Sequence, residues 1–436
     1  KPRRIEDAVT SLAGKFNDVK IDTIRTDFLE FVAYLEKHRF AIIGNDTDEL
    51  LSKDVRFSYL LENPKTFTFD FQKNDDEDAE VGDTQSHLDK YLHANPALMD
   101  FQMEVTSRCN ERCIHCYIPH SSKNVDIDYG LAVSAIDQAA AMGIINMTFS
   151  GGEATLYKHL PSLLKHAREK DLSITLLSNL VNVSDELFDS IVENHLSLVQ
   201  VSVYSILDEE HDAITMLQGS LQKTFANIER LIKADVPIQV SCPVMKINYK
   251  SYKEVLKWAY DHKIKAYTDF ILMARTDGST DNLDMRIEKA EAEVILRDII
   301  SIDEDYRVMV SEASSKKLFM DQSEEPVCGV GINTLCMVAN GDCYPCAGWQ
   351  GYKVGSIATQ SLRDIWINSN ELNYLRCLKR GHFPKCKTCL DQNYCAMCMV
   401  RNFNETGDIF SIPEHFCSIA ALNRKIVEEH NATTKY

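Results

Sequence analysis

Residues 104–117, EVTSRCNERCIHCY, hold three cysteines, Cys109, Cys113 and Cys116, within eight positions. They directly follow FQMEVT (101–106), in which apolar and polar residues alternate as in a β-strand that is buried on one face. A tetrahedral structural metal site needs four ligands, and this loop supplies three. Thiolates are ligands for both zinc and iron–sulfur clusters. The loop therefore predicts a metal centre with one open position, unless a distant cysteine closes it.

Length and charge narrow the classes of function. The chain has 436 residues, enough for more than one domain, and a net charge of −18. This acidic balance argues against nucleic acid as a partner, because phosphates favour a basic surface. No apolar run approaches the ~20 residues that cross a bilayer, and the first residues lack the apolar segment of a signal peptide. We expect a cytoplasmic protein without a membrane partner, whose clustered thiols bind metal in a reducing compartment.

From about residue 100 the chain alternates strand-like and helix-like segments. The strand-like segments are FQMEVT, NMTFS (146–150), SITLLS (173–178), LVQVSVYS (198–205), IQVSCPVM (238–245) and AYTDFILM (266–273). Segments with the apolar spacing of helices separate them, which favours parallel strands with right-handed crossovers. Six units are too few for a closed eight-stranded barrel. The sequence therefore predicts an α/β fold with an open, partial barrel.

Candidate binding residues fall where the predicted strands end, and sites of parallel barrels assemble at the C-terminal ends of strands. These residues are Gly151, Gly152, Glu153, Ser178, Ser202 and Arg275. Glycine allows close approach of the backbone to a ligand, and the carboxylate of Glu153 can pair with an ammonium group. A turn followed by a helix cap would explain the GGE stretch alone. It is the succession of such residues along the strands that favours a binding site.

The spacing C-x3-C-x2-C, followed by GGE at the end of the second strand, resembles that of the radical S-adenosylmethionine (radical SAM) enzymes. The resemblance implies a partial (β/α)6 TIM barrel over residues 98–318. It implies that Cys109, Cys113 and Cys116 bind a [4Fe-4S] cluster whose open iron chelates S-adenosylmethionine. Cleavage of this cofactor would release a 5′-deoxyadenosyl radical that abstracts a hydrogen atom from an unactivated carbon.

The same resemblance assigns the remaining cofactor contacts. His115 is expected near the adenine, and Ser202 near the ribose. Gly151, Gly152 and Glu153 are expected at the methionine amino group, and Arg275 at the methionine carboxylate. Ser178 is a further cofactor-binding candidate.

Ten of the fourteen cysteines lie between Cys328 and Cys417, and their spacing resembles the cysteine-rich iron–sulfur domain called SPASM. The resemblance implies two auxiliary [4Fe-4S] clusters within residues 319–436, and three clusters in all. The expected ligands are Cys328, Cys346 and Cys398 for one cluster and Cys386, Cys389, Cys395 and Cys417 for the other. The first set has an open iron, or Cys336, Cys343 or Cys377 closes it.

The region after residue 320 shows little apolar periodicity, so we expect metal to shape it. Zinc is the alternative to iron–sulfur clusters, because two C-x2-C pairs can bind one structural zinc.

Residues 5–43 combine helical periodicity with the strand-like run AIIG (41–44). They resemble the small winged-helix-like domain that binds the leader of a precursor peptide by adding it to a sheet edge. TFTFDF (66–71) is a candidate extension of that sheet. The acidic run QKNDDEDAEVGDTQ (72–85) reads as a linker and ends the first domain, residues 1–85. A generic helical cap without a partner is the alternative.

These three parts predict a radical SAM/SPASM maturase of a ribosomally made precursor peptide with a leader sequence. The first expectation is a thioether crosslink to a cysteine sulfur, with a reductant such as flavodoxin or ferredoxin as a partner. Carbon–carbon crosslinking, epimerisation and a sulfatase-type maturase are alternatives. A non-enzymatic iron–sulfur or zinc protein is the alternative from a different class.

Overall fold

The computed structural model of the chain describes residues 3–16, 19–37, 41–53, 88, 91–122, 124–302 and 326–434. The chain divides into two compact units, residues 1–81 and 82–436. Across the described residues, no helix combines the length and the apolar character that crossing a membrane requires.

The second unit contains one nine-stranded sheet. Its strands are β1 (Asp100–Thr106), β2 (Asn146–Gly151), β3 (Ser173–Ser178), β4 (Leu198–Ser202), β5 (Ile238–Pro243), β6 (Lys265–Asp269), β7 (Thr334–Met337), β8 (Asp342–Tyr344) and β9 (Gly355–Ser356). The spatial order is β6-β5-β4-β3-β2-β1-β7-β8-β9, and β1 to β6 are parallel to their neighbours. Strand β1 pairs with β7 and not with β6. The barrel is therefore open, and the predicted six-unit α/β fold is confirmed.

Helices precede, connect and follow these strands. They are α1 (Ile5–Ala13), α2 (Ile21–Lys37), α3 (Thr47–Lys53), α4 (Tyr129–Ala141), α5 (Leu160–Glu169), α6 (Asp185–Glu193), α7 (Asp208–Thr215), α8 (Ser220–Lys233), α9 (Tyr252–Asp261), α10 (Lys289–Ile302), α11 (Leu362–Asn368), α12 (Asn370–Arg376), α13 (Met399–Thr406) and α14 (Glu414–Thr434). Short 3₁₀ turns occur at His120–Ser122, Ala154–Leu156, Asp281–Met285, Arg380–His382 and Gln392–Tyr394.

The core of the barrel lies between the sheet and its crossover helices. Phe101, Met103 and Val105 of β1 are completely buried and belong to the same apolar cluster as Ala135 and Ile136 of α4. The side chain of Asp128 caps α4 by accepting a hydrogen bond from the Leu131 N–H. The apolar residues of β1 thus face the helices, and the intervening polar residues face the opposite side of the sheet.

Three predicted strands end earlier than the sequence suggests. The fourth ends at Ser202 instead of residue 205, the fifth at Pro243 instead of residue 245, and the sixth at Asp269 instead of residue 273. Beyond β4, the Tyr204 carbonyl accepts a hydrogen bond from the Asn248 side chain at 2.8 Å, outside the ladder. The apolar character of these segments continues because they are buried, not because they are strands.

The C-terminal region is more ordered than its sequence suggests. Strands β7, β8 and β9 extend the sheet, and a second apolar cluster forms around Trp349, Phe383 and Val400. Helix α14 packs along α10 and contributes Lys425, which pairs with Glu293 at 3.2 Å. Most of these strands and helices have eight residues or fewer and leave a weak periodic signal, which explains the little apolar periodicity of this region.

The first unit contains α1, α2 and α3, with Arg25 of α2 paired to Glu6 of α1 at 2.7 Å. The predicted strand AIIG is not formed: residues 41–44 are irregular, and their backbone bonds to side chains. The Ile43 N–H donates to Glu36, and the Ile43 carbonyl accepts from Lys53. Residues 66–71 and the acidic run 72–85 lie outside the described residues. The winged-helix-like prediction is therefore not confirmed.

Candidate iron–sulfur and S-adenosylmethionine site

The loop that carries Cys109, Cys113 and Cys116 begins where β1 ends, beside the end of β2. The Gly152 N–H donates to the Thr106 carbonyl, and the Glu153 N–H donates to the Arg108 carbonyl, both at 2.8 Å. A Cβ atom on Gly151 would overlap the Thr106 carbonyl oxygen, and one on Gly152 would overlap the carbonyl oxygens of two loop residues. The two glycines therefore allow the GGE turn and the cysteine loop to pack backbone against backbone.

The three thiols of this loop are partly buried. The Cys113 thiol donates to the Glu111 carboxylate at 3.1 Å, and the Glu111 N–H lies 3.4 Å from the Cys109 sulfur. Burial, reinforced by the charge of Glu111, raises the pKa of Cys113 well above its ordinary value. The sequence analysis did not identify Glu111, whose carboxylate can take the thiol's proton when a metal binds.

A buried hydrogen-bond network fixes Glu153. One carboxylate oxygen accepts from the Ser178 hydroxyl at 2.6 Å, and the other accepts from the Asn179 N–H at 2.8 Å. The Asn179 side chain in turn donates to Asn110 of the cysteine loop at 2.8 Å. Ser178 thus orients Glu153 by a hydrogen bond, whereas the sequence predicted a contact between Ser178 and the cofactor.

Arg275 is buried and already has a carboxylate partner. Its guanidinium forms two hydrogen bonds with Asp281, at 3.0 and 2.9 Å, and a third with the Cys116 carbonyl at 3.1 Å. The Asn282 side chain donates to the His115 carbonyl at 3.2 Å. The segment after β6 thus holds the cysteine loop by its backbone, a role that the sequence analysis did not assign to Arg275.

His115 and Ser202 lie around Tyr204. The His115 ring packs edge-on against the Tyr204 ring, with centroids 5.0 Å apart, and Ser202 hydrogen-bonds to the same tyrosine. On its other side, Tyr204 packs against His211 of α7 at 5.4 Å. The backbone near the end of α7 accepts hydrogen bonds from two loop N–H groups, those of Arg112 and Ile114. The ends of the first four strands carry all predicted residues of this site except Arg275, and the segment after β6 supplies Arg275.

Cys328, Cys346 and Cys398 form one group of neighbouring thiols at the edge of the Trp349 cluster. The pKa of Cys328 rises to about 11, first through burial and then through the charges of Cys398 and Cys346. Burial likewise raises the pKa of Cys346. Bound irons would reverse this preference for the neutral thiol, because cations stabilise the thiolate.

A second group of thiols encloses a cavity of about 220 Å³. Its lining includes Cys386, Cys389, Cys395, Cys398 and Cys417, together with Arg380 and Lys385. Burial, followed by the charges of Cys395 and Cys389, raises the pKa of Cys386 to about 11. Since a water molecule takes roughly 30 Å³ of liquid, this cavity has room for a polyatomic group. Among the described residues, no group of three or more His, Cys, Asp or Glu side chains is arranged to hold a single metal ion.

The structure separates the three candidates for a fourth ligand to the first auxiliary cluster. Cys336 is buried on β7 within electrostatic reach of Cys346. Cys343 belongs to the apolar core, and Cys377 is exposed. Cys336 is therefore the candidate closest in environment to the predicted set.

Profiles of two domain families match the chain. The radical SAM superfamily matches residues 103–259, and the iron–sulfur cluster-binding domain SPASM matches residues 328–390. The chain is a radical SAM enzyme with a SPASM domain. The donor sets fit the cofactors of these families, S-adenosylmethionine and iron–sulfur clusters, because each proposed cluster is lined by at least three thiols.

Relatives of this radical SAM enzyme include an AdoMet-dependent heme synthase of Methanosarcina barkeri, 25% identical over 335 residues, which cover 72% of this chain and 94% of the relative. A PqqA peptide cyclase of Methylocella silvestris is 21% identical over 76% of this chain and 92% of its own. SuiB of Streptococcus suis, solved with S-adenosylmethionine, shares the fold with a TM-score of 0.59 at 14% identity, over 91% of this chain and 89% of SuiB. Another structure, anSMEcpe with bound AdoMet and the Kp18Cys peptide, gives a TM-score of 0.59 at 14% identity, over 77% of this chain and 98% of its own.

Proposed function

We propose that this radical SAM enzyme modifies a ribosomally made precursor peptide, and that the modification is a thioether crosslink to a cysteine sulfur. One observation supports a peptide as the substrate. The similarity to SuiB, whose structure was solved with the precursor peptide SuiA, spans 90% of this chain, more than residues 82–436 alone contain. The similarity therefore includes part of the first unit, which supports a peptide as the substrate.

The surface of the first unit supports this proposal. Six large apolar side chains of α2 and the segment before it are at least two-fifths exposed: Phe16, Val19, Ile21, Leu29, Phe31 and Tyr34. Exposed apolar side chains concentrated in one small unit are typical of interaction sites. We assign residues 1–85 to leader recognition, 98–318 to the radical SAM barrel and 319–436 to the SPASM domain.

The cofactor roles follow from the chemistry of the side chains. When bound, the cluster and S-adenosylmethionine supply a radical that abstracts hydrogen from the substrate. We assign Cys109, Cys113 and Cys116 to the cluster, and Glu153 to the ammonium of the methionine moiety, because Ser178 and Asn179 hold its carboxylate in place.

The residues around Tyr204 and the segment after β6 take the remaining roles. We assign His115 to the adenine and Ser202 to the ribose. We also assign Arg275 to the methionine carboxylate. Its guanidinium has further N–H donors besides those that bind Asp281 and the Cys116 carbonyl.

Three [4Fe-4S] clusters are proposed, with the two auxiliary clusters bound by the two thiol groups of the SPASM domain. A crosslink removes two hydrogens from the peptide, so an electron must leave after the first hydrogen atom. In this proposal an auxiliary cluster takes that electron, and a cytoplasmic flavodoxin or ferredoxin completes the electron path. Carbon–carbon crosslinking has the same electron balance and is the alternative outcome on a peptide.

Modification of a porphyrin is the second candidate function. The observation in its favour is sequence identity, because the heme synthase is 25% identical and the peptide cyclase is 21% identical.

The test is an anaerobic assay of the reconstituted enzyme with S-adenosylmethionine and dithionite. Candidate peptides are those encoded beside the gene, each with and without its leader, and an iron porphyrin is the competing substrate. We expect 5′-deoxyadenosine, together with a peptide lighter by two hydrogens that resists thiol alkylation. An unchanged mass with solvent deuterium incorporated indicates epimerisation, and turnover of the porphyrin alone overturns the peptide proposal. A colourless zinc protein that makes no 5′-deoxyadenosine overturns the whole function.

A further inference from the structure

The face of β1 that points away from the helices carries three hydrogen-bonding side chains, Asp100, Gln102 and Glu104. Their neighbours Phe101, Met103 and Val105 fill the helix-side core, so successive side chains alternate between the two faces. Gln102 donates to the Ser150 hydroxyl on β2 at 2.7 Å. In a barrel whose outer face is covered by helices, this polar face is the interior.

Glu104 is the last carboxyl group on this face before the cysteine loop. It is 3% exposed and pairs in register with Ser150 of β2. Its carboxylate accepts one hydrogen bond, from the Gln350 side chain at 2.9 Å. Within the described part of the chain it has no cationic partner. The charge of Glu104 helps to raise the pKa values of three nearby groups, Tyr117, Cys336 and Tyr344.

Glu104 lies five residues before Cys109 of the cysteine loop, and its hydrogen bond to Gln350 brings it near the group formed by Cys328, Cys346 and Cys398. Tyr117 follows Cys116 in the loop, and the charges of Glu104, Cys116 and Cys346 each raise its pKa. Gln350 lies four residues after Cys346. In the proposed function, the substrate gives a hydrogen atom on the side of the cysteine loop and an electron on the side of the auxiliary thiols.

Resting on the proposed function, the geometry points to Glu104 as the proton acceptor of the oxidative step. The peptide loses one hydrogen atom to the 5′-deoxyadenosyl radical, which becomes 5′-deoxyadenosine. The resulting carbon radical then bonds to the cysteine sulfur, and the S–H bond breaks. The electron released goes to an oxidised auxiliary [4Fe-4S] cluster, and the proton goes to the carboxylate of Glu104. Atoms and electrons then balance, with a crosslinked peptide two hydrogens lighter.

The acidity of Glu104 suits this role. Burial raises its pKa to about 8, and the hydrogen bond from Gln350 opposes the rise. A general base works best when its pKa lies near the working pH, because it is then both partly ionised and basic enough to bind a proton.

The decisive variant is Glu104→Gln, which keeps a hydrogen-bonding group of the same size but cannot accept the proton. We expect 5′-deoxyadenosine to form still, while crosslinked product per 5′-deoxyadenosine falls at least about 100-fold. The matched control is Asp100→Asn, which changes a carboxyl on the same face that bonds Asn146 and Thr148 instead. The control is expected to leave the ratio unchanged. An unchanged ratio in Glu104→Gln overturns the proposal, as does an equal fall in both variants.

A second measurement does not depend on turnover. Infrared difference spectra of the holoenzyme between about pH 7 and about pH 9 should show a protonated carboxyl band that ionises and that Glu104→Gln removes. Gln350→Met should move both this titration and the pH profile of crosslinking to higher pH, because the lost hydrogen bond favoured the carboxylate. A band that does not titrate, or an unmoved profile, contradicts the role of Glu104.

Failure of the inference differs from failure of the proposed function. If the wild-type enzyme modifies no peptide, the proposed function fails. If it crosslinks the peptide and Glu104→Gln does so equally well, only the assignment of Glu104 fails.

Discussion

The cysteine loop after β1 and the cysteines of residues 328–417 are positioned by different means. The loop starts at a strand in the middle of the sheet, and backbone hydrogen bonds from the GGE turn, α7 and the segment after β6 hold it. The C-terminal thiols instead border a small apolar cluster and enclose a cavity of about 220 Å³. The residues around that cavity come from two 3₁₀ turns, helices α13 and α14, and the segments between them.

This difference shows which parts of the chain position each set of thiols. The barrel has a large apolar core, and backbone hydrogen bonds to the barrel hold the cysteine loop. Around the cavity, the thiols are partly buried. Burial raises the pKa of Cys386 to about 11 and also raises the pKa of Cys395. We expect a bound cluster to stabilise this region, because metal binding and folding are coupled.

The largest expected effect compares one ligand from each region. Cys113→Ala should reduce 5′-deoxyadenosine formation by more than about 100-fold, since even outer-shell partners of a metal site cost 10- to 100-fold. Cys395→Ala should still form 5′-deoxyadenosine but lose the crosslinked product. Iron content and electron paramagnetic resonance of each variant check which cluster is lost. Cys242→Ala, which removes a thiol buried in the core of β5, is the control and should keep all its iron. If both ligand variants lost 5′-deoxyadenosine formation equally, the two regions would not have separate roles in the reaction.

Removal of iron by a chelator should separate the two regions most directly. We expect amide hydrogen exchange to accelerate strongly in residues 380–417, because the cavity loses the group that fills it. Strands β1 to β5 should stay protected by their apolar core. Uniform loss of protection along the chain would show that the barrel also depends on its clusters.

The contact between the regions should be broken by Arg286→Met. Arg286 follows β6 and pairs with Glu405 of α13 at 2.8 Å, with side-chain exposures of 10% and 19%. Removing one partner leaves a buried charge, so we expect a loss of about 3 to 5 kcal/mol, detected as faster hydrogen exchange in α13. Lys246→Met breaks an exposed pair with Glu288 and should cost less than about 1 kcal/mol. A loss in Arg286→Met no larger than in this control would show that the two regions are not coupled here.

The smallest expected effect concerns pH and Glu104. Burial raises its pKa from 4.5 to about 8, so the folded state keeps the proton that the unfolded chain releases. Stability from this group is therefore complete below about pH 4.5 and is lost progressively as the pH rises towards about pH 8. Glu104→Gln should remove this dependence and stabilise the protein by up to about 3 kcal/mol near pH 7. Thermal unfolding of both proteins across this range checks it, and parallel pH curves would show that Glu104 ionises freely.

Part of the site was predictable because its residues adjoin strand ends. Cys109, Cys113, Cys116 and the GGE turn follow β1 and β2, and parallel pairing brings adjacent strand ends to one edge. Glu111 and Tyr204 were not singled out, since a lone Glu or Tyr carries no spacing signal. Arg275 was found, but its pairing with Asp281 and Cys116 depends on how the segment after β6 folds back. The prediction of a strand at AIIG was wrong, because an apolar run indicates burial but does not supply a partner strand.

The sequence by itself determined the six strand and helix units of the barrel and the thiols that we propose as cluster ligands, because apolar periodicity and cysteine spacing are local properties of the chain. Tertiary structure alone decided that β7 to β9 extend the sheet beside β1, that Ser178 serves Glu153, and that Glu104 meets Gln350. These contacts join residues far apart in the chain, 246 positions apart for Glu104 and Gln350. Their geometry follows from packing, which no local pattern encodes.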